Sequence, residues 1–285
     1  MTVCESKRDQ EDDRTLLRNF LEQKACWVRR ETLHIHQIAP ATRIASSLSP
    51  VEIFTVLYYG HLLHFDPAIP YSADRDRLII SKGHGSVSLY PILADVGYFD
   101  KQELKRAGTV ESFLGGIPDP MVPGFETVNG SLGHGLGVGC GMAVALRHTK
   151  NPASGLVLMG DGELYEGSVW EALLLAPEHK LDNLLLIVDY NKIAMLDYCA
   201  KIIRLEPLGN KFKSFGWDCE EVDGHDVEAL HTVMQKLIKR RNGQPKVLIA
   251  HTVKGKGVPL LEKDSLCHLR TMSGAEVQAA VEALA

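Results

Sequence analysis

The fold can be predicted from one stretch of sequence, Leu156-Val157-Leu158-Met159 followed by Gly160-Asp161-Gly162-Glu163. Four consecutive apolar residues indicate a buried strand of a parallel sheet. The two glycines at its carboxyl end indicate a turn in which the backbone can approach a ligand closely. A helical pattern at residues 167–179 and a second apolar run at 184–188 follow. Strands that alternate with helices in this way are typical of an α/β fold.

The same alternation continues on both sides of this stretch. Helical patterns separate further apolar runs, and a capping box from Ser273 to Glu276 predicts the start of a last helix. The sequence thus predicts an α/β fold, with a mostly parallel sheet and helices on both faces. The further predicted strands are residues 78–80, 217–222 and 247–250, and the further predicted helices are residues 87–96, 132–147 and 227–239.

Another helix start is predicted by Ser49-Pro50-Val51-Glu52. Ser49 would be the N-cap, Pro50 would take the first helical position, and Glu52 would complete a capping box. This helix is expected to run to about residue 61. A long helical pattern before it has an apolar face from Leu16 onward and is expected to end at Pro40.

The chain is expected to form one domain. Its 285 residues, of which 45% are hydrophobic, suffice for a large buried core. Residues 1–13 are polar, and we expect them to be a flexible N-terminus. Residues 14–285 contain no repeat, low-complexity tract or change in composition, so they are expected to be a single domain.

Charge and cysteine content exclude several classes of function. The 31 basic and 36 acidic residues give a net charge of −5, which provides no basic surface for nucleic acid or for an anionic membrane. No apolar run approaches the length of a membrane span, and the charged N-terminus does not resemble a secretory signal. The six cysteines form no C-x-x-C pair, which indicates reduced thiols. We therefore expect a cytoplasmic protein.

The turn after the first quoted strand is a candidate cofactor site. Ligands of open α/β sheets bind at the carboxyl ends of the strands, where Asp161 offers a carboxylate and the next helix N-terminus favours a diphosphate. Thirty residues later, Asn191 follows the neighbouring predicted strand and offers an amide oxygen. Mg²⁺ takes few oxygens from protein and the others from phosphate and water. Gly-Asp-Gly alone would be an ordinary surface turn, but its spacing to Asn191 favours a magnesium and diphosphate site.

The segment from Gly160-Asp161-Gly162 to Asn191 resembles the thiamine-diphosphate motif. Its interior is similar to transketolase in particular, on the residues Glu166-Gly-Ser-Val-Trp-Glu-Ala172. The resemblance implies that Asp161, Asn191 and the carbonyl of Ile193 hold the metal. It also implies cofactor contacts at Gly160, Gly162 and Glu163. Glu166 and Glu171 would face a second chain, unless they only form a solvated helix face.

The resemblance extends over almost the whole chain. Ser81-Lys-Gly-His-Gly85 matches a loop whose histidine, here His84, reaches cofactor and substrate in the family. The segment that contains Gly130, Ser131 and Leu132 matches a loop that packs over the thiamine. His134 in the same segment is a second catalytic candidate, or equally a packing residue. Lys263 is a weaker candidate for a contact with substrate or diphosphate.

Gly135, Gly137, Gly139 and Gly141 also resemble a nucleotide-binding glycine run. No suitable strand precedes them, so close packing of a helix explains their spacing better.

Two residues depart from the family pattern. Arg43 and Ile117 stand where transketolases have histidines that contact hydroxyls of the sugar donor and the bound two-carbon intermediate. An apolar side chain at such a position leaves a hydroxyl unpaired, which costs about 1–3 kcal/mol. Either this branch binds sugars differently, with Arg43 supplying donors, or its substrate has changed.

The resemblance implies a two-carbon ketol transfer from a ketose phosphate to an acceptor. The acceptor would be an aldose phosphate by default, or a lipoyl group or acyl-carrier-protein thiol in a biosynthetic pathway. Only the first of three transketolase domains is matched, so a partner subunit would supply the pyrimidine-binding and C-terminal domains. Alternatives are one subunit of a 2-oxo acid dehydrogenase, a non-catalytic regulatory subunit and a nucleotide-binding oxidoreductase.

Overall fold

The computed structural model describes residues 3–128 and 130–284, with side chains from residue 11 onward. Its strands form one sheet in the order β1-β2-β3-β5-β4, and every neighbouring pair is parallel. The predicted parallel α/β sheet is confirmed, and all five predicted strands are present. The strands are β1 (Arg77–Ile80), β2 (Gly155–Gly160), β3 (Leu184–Tyr190), β4 (Asp218–Asp223) and β5 (Lys246–His251).

Helices lie between these strands in chain order. The short 3-10 helices Gly83–Gly85 and Asp161–Tyr165 directly follow β1 and β2, and a third spans Lys101–Arg106. The α-helices are α1 (Val3–Ile38), α2 (Ile44–Leu48), α3 (Val51–Tyr59), α4 (Leu89–Asp95), α5 (Gly135–His148), α6 (Gly167–Glu178), α7 (Cys199–Ile202), α8 (Leu208–Ser214), α9 (Val227–Lys239), α10 (Pro259–Glu262) and α11 (Gly274–Ala283).

The hydrophobic core is divided by the sheet into two layers. Leu156 and Leu158 of β2 point into a cluster that includes α1, α3, α4 and α9. Val157 and Met159 point into the opposite cluster, with α5, α6 and α8. Successive side chains of a strand face opposite sides of the sheet, so an uninterrupted apolar run fills both layers. Helices therefore cover both faces, as the sequence predicts.

The N-terminal helix differs from the expectation. α1 begins at Val3 and therefore includes residues 3–13, which we expected to be flexible. This segment contains no glycine or proline, and its charged residues are compatible with helix. The expected boundary at residue 13 does not coincide with any change in secondary structure. The division into a flexible N-terminus and one domain stays a prediction.

One of the two predicted capping boxes is wrong. No side chain caps α3, because the Ser49 hydroxyl donates to Asp189 Oδ2 at 2.5 Å and Glu52 pairs with Arg29. The capping box of α11 is confirmed, with Ser273 and Glu276 each accepting from the backbone N–H of the other. Serine and acidic residues at this spacing can form either a capping box or buried polar contacts with distant residues. The tertiary structure determines which of these arrangements forms.

The glycines of α5 lie on two different faces. A Cβ atom at Gly139 would lie 2.4 Å from Val157 Cγ2, and one at Gly135 would lie 2.4 Å from Ser81 Cβ. Gly137 and Gly141 have no atom within 4 Å of such a Cβ. Close packing therefore explains Gly135 and Gly139, and it does not explain the other two.

Two expectations about the whole chain can also be compared with the structure. Among the helices of residues 3–128 and 130–284, none combines the length and apolar character needed to cross a membrane. The five cysteines whose side chains are described are free thiols.

Candidate functional site

A cleft of about 360 Å³ opens at the carboxyl ends of β1, β2 and β3. The turns after these strands bring together residues that are far apart in the sequence, because parallel strands end at the same edge of a sheet. The lining residues are Arg43, Ser46, Lys82, His84, Gly130, Leu132, Gly160, Asp161, Gly162, Glu163, Tyr165, Asn191, Ile193, Ala194, Met195, Lys254 and His268. Ten of the predicted site residues are among them.

Asp161 is a buried carboxylate of this cleft, with 2% of its surface exposed. Oδ1 accepts a hydrogen bond from the Gly162 amide at 2.8 Å, and Oδ2 accepts one from the Lys192 amide at 2.5 Å. Burial, and after it the charge of Asp189, raises the pKa of Asp161 to about 6. An ionised Asp161 therefore gains from a cation in the cleft.

Asn191 and Ile193 follow β3 and lie beside Asp161 at the same edge. Asn191 Oδ1 accepts from the Ile193 amide at 3.2 Å, while its Nδ2 group lies 3.4 Å from Asp189 Oδ2. The carbonyl oxygen of Ile193 accepts from Lys254 Nζ at 2.8 Å. A carboxylate, an amide oxygen and a backbone carbonyl are thus grouped as the sequence predicts.

Lys82, which lines the cleft, forms a buried ion pair with Asp189 that the sequence did not predict. Lys82 Nζ donates to Asp189 Oδ2, and the hydroxyls of Ser49 and Thr252 also donate to this carboxylate. Burial works to raise the pKa of Asp189, but Lys82 and these hydrogen bonds hold it below its usual value. The pair connects the carboxyl ends of β1 and β3 across β2.

Two histidines share one side of the cleft. The rings of His84 and His268 lie 5.1 Å apart, edge to face, and Ser46 Oγ lies 3.2 Å from His268 Nδ1. Burial and then Lys82 hold the pKa of His84 far below its usual value. Burial, then Lys254 and Arg43, lower the pKa of His268 to about 4. Both rings are therefore neutral at physiological pH and each can donate one hydrogen bond.

Glu163 lines the cleft, but its carboxylate is occupied by the surrounding loops. Oε1 accepts from Ser81 Oγ at 2.5 Å and from the Gly133 amide at 2.9 Å, and Oε2 accepts from the Gly160 amide at 3.0 Å. With 1% of its surface exposed, this side chain joins three loops. These hydrogen bonds give Glu163 a positioning role, and the expected cofactor contact at this residue stays a prediction.

Arg43 and Ile117, the two departures from the family pattern, both lie near the mouth of the cleft. Arg43 is exposed at the N-terminus of α2 and lines the cleft. Ile117 is 49% exposed, and a Cβ atom at Gly130 would lie 3.8 Å from its side chain. The φ of Gly130, 125°, is in the left-handed region that favours glycine. Gly130 and Leu132 line the cleft, whereas Ser131 is exposed outside it.

Three further predicted site residues lie away from the cleft lining. His134 is exposed, with Nδ1 3.1 Å from Ser131 Oγ, and it lines a groove between α5 and α6 together with Glu171. Glu166 is exposed at the N-terminus of α6. This groove has a volume of about 500 Å³. The structure thus groups His134 with Glu171 and separates it from His84.

Lys263, the predicted lysine contact, is exposed at the end of α10 and does not line the cleft. Lys254 lines it instead, with 4% of its surface exposed. Burial, and after it Lys82, lower the pKa of Lys254 to about 8. Both lysines follow the last strand, and the sequence alone does not distinguish the one that turns inward.

The residues present fit magnesium and a diphosphate. Among the described residues, no group of three or more His, Cys, Asp or Glu side chains could hold a metal. Mg²⁺ does not require such a group, since it uses one or two carboxylates plus phosphate and water oxygens. A Cβ atom at Gly162 would meet nothing within 4 Å, so the backbone beside Asp161 borders open space. Lys254 supplies positive charge for a phosphate.

The fold and this cleft define an α/β domain that binds a phosphate-bearing ligand at the carboxyl ends of its strands. The family model described as "Transketolase, thiamine diphosphate binding domain" matches residues 37–285. The chain belongs to this family, and it is of the thiamine-diphosphate-dependent transferase type.

The relatives include proteins that are separate subunits of transketolases. The chain is 38% identical over 266 residues to an apulose-4-phosphate transketolase subunit of Actinobacillus succinogenes, covering 93% of this chain and 95% of that protein. It is 34% identical to a 6-deoxy-6-sulfo-D-fructose transketolase subunit of Clostridium, covering 93% and 96%. Transketolase of Campylobacter jejuni superposes with a TM-score of 0.84 at 29% identity, over 93% of this chain and 42% of that one.

The match therefore spans less than half of that solved transketolase chain and nearly all of the separate subunits. The chain is accordingly of the kind found in split transketolase-like enzymes.

Proposed function

We propose that this chain is the cofactor-binding subunit of a two-subunit enzyme that transfers a two-carbon ketol unit from a ketose phosphate. The grouping of Asp161, Asn191 and the Ile193 carbonyl beside open space at Gly162 is the observation that carries this proposal. These oxygens would hold Mg²⁺, and Lys254 would stabilise the negative charge of the diphosphate. Bound thiamine diphosphate supplies an electron sink for the electron pair left when a carbon–carbon bond beside a carbonyl breaks.

His84 and His268 would bind the substrate at the opposite side of the cleft. Because both rings are neutral, each can donate a hydrogen bond to a hydroxyl or carbonyl oxygen without adding a positive charge. A donor of this kind stabilises negative charge that develops on a substrate oxygen.

Arg43 would contribute most to the choice of substrate. Its guanidinium is the exposed cation at the mouth of the cleft, and such a group suits a phosphate or another anionic substituent. Ile117 presents an apolar surface to the same region. An aldose phosphate is the proposed acceptor, and a lipoyl group or carrier-protein thiol is the second possibility.

A second subunit would complete the active site by supplying the pyrimidine-binding and C-terminal domains. The names of two relatives identify them as transketolase subunits, which supports this part of the proposal. Glu166, at the N-terminus of α6, and Glu171, in the groove between α5 and α6, would face that subunit. The free thiols agree with a reducing compartment, and we retain the cytoplasm as the proposed location.

Calorimetric titration of the chain with thiamine diphosphate and MgCl₂ tests the cofactor assignment. The wild-type chain is expected to bind, and Asp161→Ala is expected to lower the affinity at least tenfold, because the site loses the carboxylate assigned to the metal. Lys263→Ala is the matched control and should bind as the wild type does. Wild-type affinity in Asp161→Ala, or no binding by the wild-type chain with its partner, would overturn the proposal.

The acceptor is tested by co-expressing the chain with its partner and supplying a ketose phosphate. One sample receives ribose 5-phosphate and the other receives acyl carrier protein. Sugar analysis reports transfer to the aldose, and intact-mass analysis reports transfer to the carrier. Transfer to neither acceptor would contradict the proposed reaction.

A further inference from the structure

A cluster of three charged or ionisable side chains, two of them buried, lies outside the cleft lining. Arg29 of α1 and Glu52 of α3 are 6% and 5% exposed, and Arg29 Nη2 lies 2.6 Å from Glu52 Oε1. His225, in the turn between β4 and α9, lies with Nδ1 2.9 Å from Glu52 Oε2. Although burial works to raise the pKa of Glu52, Arg29 and His225 lower it overall. Glu52 is thus an ionised carboxylate between two donors.

Both ends of this cluster hold one turn of the chain, residues 253–256, which follows β5. The Val253 amide donates to His225 Nε2 at 2.8 Å, and Arg29 Nε donates to the Lys256 carbonyl at 3.0 Å. Since Nε2 accepts, Nδ1 carries the proton that is donated to Glu52. Glu52 therefore fixes the orientation of both groups that bind the turn.

The turn held in this way carries a residue of the cofactor cleft. Lys254 lies between the two anchored positions, and its ammonium donates to the Ile193 carbonyl at 2.8 Å and to the Ala194 carbonyl at 3.3 Å. The Gly255 amide also donates to the Ala45 carbonyl of α2 at 2.9 Å. A displacement of the turn would therefore move Lys254 relative to the carbonyl assigned to the metal.

We propose that Arg29, Glu52 and His225 are positioning residues that fix the 253–256 turn and thereby set the place of Lys254 in the cofactor cleft. None of the three lines the cleft itself, so they act through hydrogen bonds to the backbone of the turn. This inference rests on the proposed function. A partner that orients a binding group from behind commonly changes affinity about 10–100-fold when it is removed.

The test uses the full chain and substitutions at two members of the cluster. Glu52→Gln keeps the shape and removes the charge, and His225→Leu removes the acceptor for the Val253 amide. His225→Gln is the conservative variant, since its amide oxygen can still accept from that N–H. Asp95→Asn is the matched control, because Asp95 is also a part-buried carboxylate that binds several donors, Lys24, Tyr59 and Lys101, and it does not line the cleft.

Two quantities are measured for each variant: the Kd of thiamine diphosphate with saturating MgCl₂, and hydrogen–deuterium exchange of peptides that cover residues 253–256. Glu52→Gln and His225→Leu should raise the Kd about tenfold and accelerate exchange in this turn. His225→Gln should restore most of the affinity. Asp95→Asn should leave both quantities within about twofold of the wild type, whatever it does to thermal stability.

The exchange experiment needs no cofactor, so it separates failure of this inference from failure of the proposed function. If Glu52→Gln and His225→Leu leave exchange of residues 253–256 unchanged, the positioning role is wrong. It is also wrong if exchange rises while the Kd stays at the wild-type value. If the wild-type chain binds no thiamine diphosphate even with its partner, the proposed function fails, and the positioning role in cofactor binding fails with it.

Discussion

At the scale of single residues, Asp161 combines a structural cost with a proposed binding function. Its carboxylate is buried beside Asp189, and both burial and this neighbour oppose its ionisation. Two backbone amides offset only part of that cost. A buried acidic group with a raised pKa is a common feature of functional sites. At Asp161 a bound cation would offset the cost of ionising the buried carboxylate.

The raised pKa of Asp161 predicts how stability of the cofactor-free chain depends on pH. Between about pH 4 and pH 6 the folded chain retains a proton that the unfolded chain has released. The free energy of unfolding should therefore fall as the pH rises through this window. A pKa difference of about two units corresponds to roughly 3 kcal/mol.

Urea denaturation of the wild type and of Asp161→Asn, at pH 4 and at pH 7, measures this contribution. As the pH rises, the wild type should lose up to about 3 kcal/mol more unfolding free energy than the variant, which has no carboxyl group at this position. Any effect of the substitution that does not depend on pH, such as a lost hydrogen bond, is the same at pH 4 and pH 7 and cancels in this comparison. An equal dependence on pH in both proteins would contradict the assigned pKa.

The sequence identified some members of the site and overlooked others for a physical reason. Asp161 and Asn191 stand directly at strand ends, so their position follows from the parallel order of the strands. Lys82 and Asp189 are also at strand ends, but their pairing depends on how β1 and β3 flank β2. His268 comes from an irregular segment after α10, whose path no periodicity predicts.

At the scale of secondary structure, the four glycines of α5 lie on two faces of the helix with different surroundings. Gly139 faces β2, where a Cβ atom would lie 2.4 Å from Val157 Cγ2. Gly137 faces the groove that also contains His134 and Glu171. The sequence predicted the helix, but it could not tell which glycines face the sheet, because all four are spaced two residues apart.

Alanine substitutions in α5 should therefore have opposite effects on stability. Gly137→Ala should stabilise the isolated chain by up to about 1 kcal/mol, because alanine is the better helix former and its methyl group meets no atom. Gly139→Ala should destabilise it by about 1–3 kcal/mol, because the methyl group displaces Val157. Thermal and urea unfolding measure both, and equal effects would contradict the assigned faces.

The start of α3 illustrates where local signals were insufficient. Ser49 and Glu52 have the spacing of a capping box, but they bind Asp189 and Arg29, which are distant in sequence. Ser273 and Glu276 have the same spacing and do form the box at an exposed helix end. Burial accounts for the difference, since a buried carboxylate such as that of Asp189 requires donors from wherever the fold brings them.

At the scale of the whole molecule, the helices on one face of the sheet form a groove at the surface. The side of α5 and α6 carries the groove that contains Val138, Glu171 and Leu175. Val138 is 42% exposed and Leu175 is 43% exposed. Apolar side chains exposed in one groove are expected at an association surface, and the relatives that are separate subunits support the presence of a second chain.

A charge placed in this groove should therefore prevent assembly with the partner. Leu175→Glu introduces a carboxylate that would have to be desolvated next to Glu171, and the cost of burying it unpaired is several kcal/mol. We expect the isolated variant to bind thiamine diphosphate as the isolated wild-type chain does, and to form no complex with the co-expressed partner in sedimentation-velocity experiments. Leu16→Glu, on α1 at the opposite face of the sheet, is the control and should assemble normally, since Leu16 is already 67% exposed. A Leu175→Glu chain that assembles and transfers ketol units as the wild type does would show that the partner binds elsewhere.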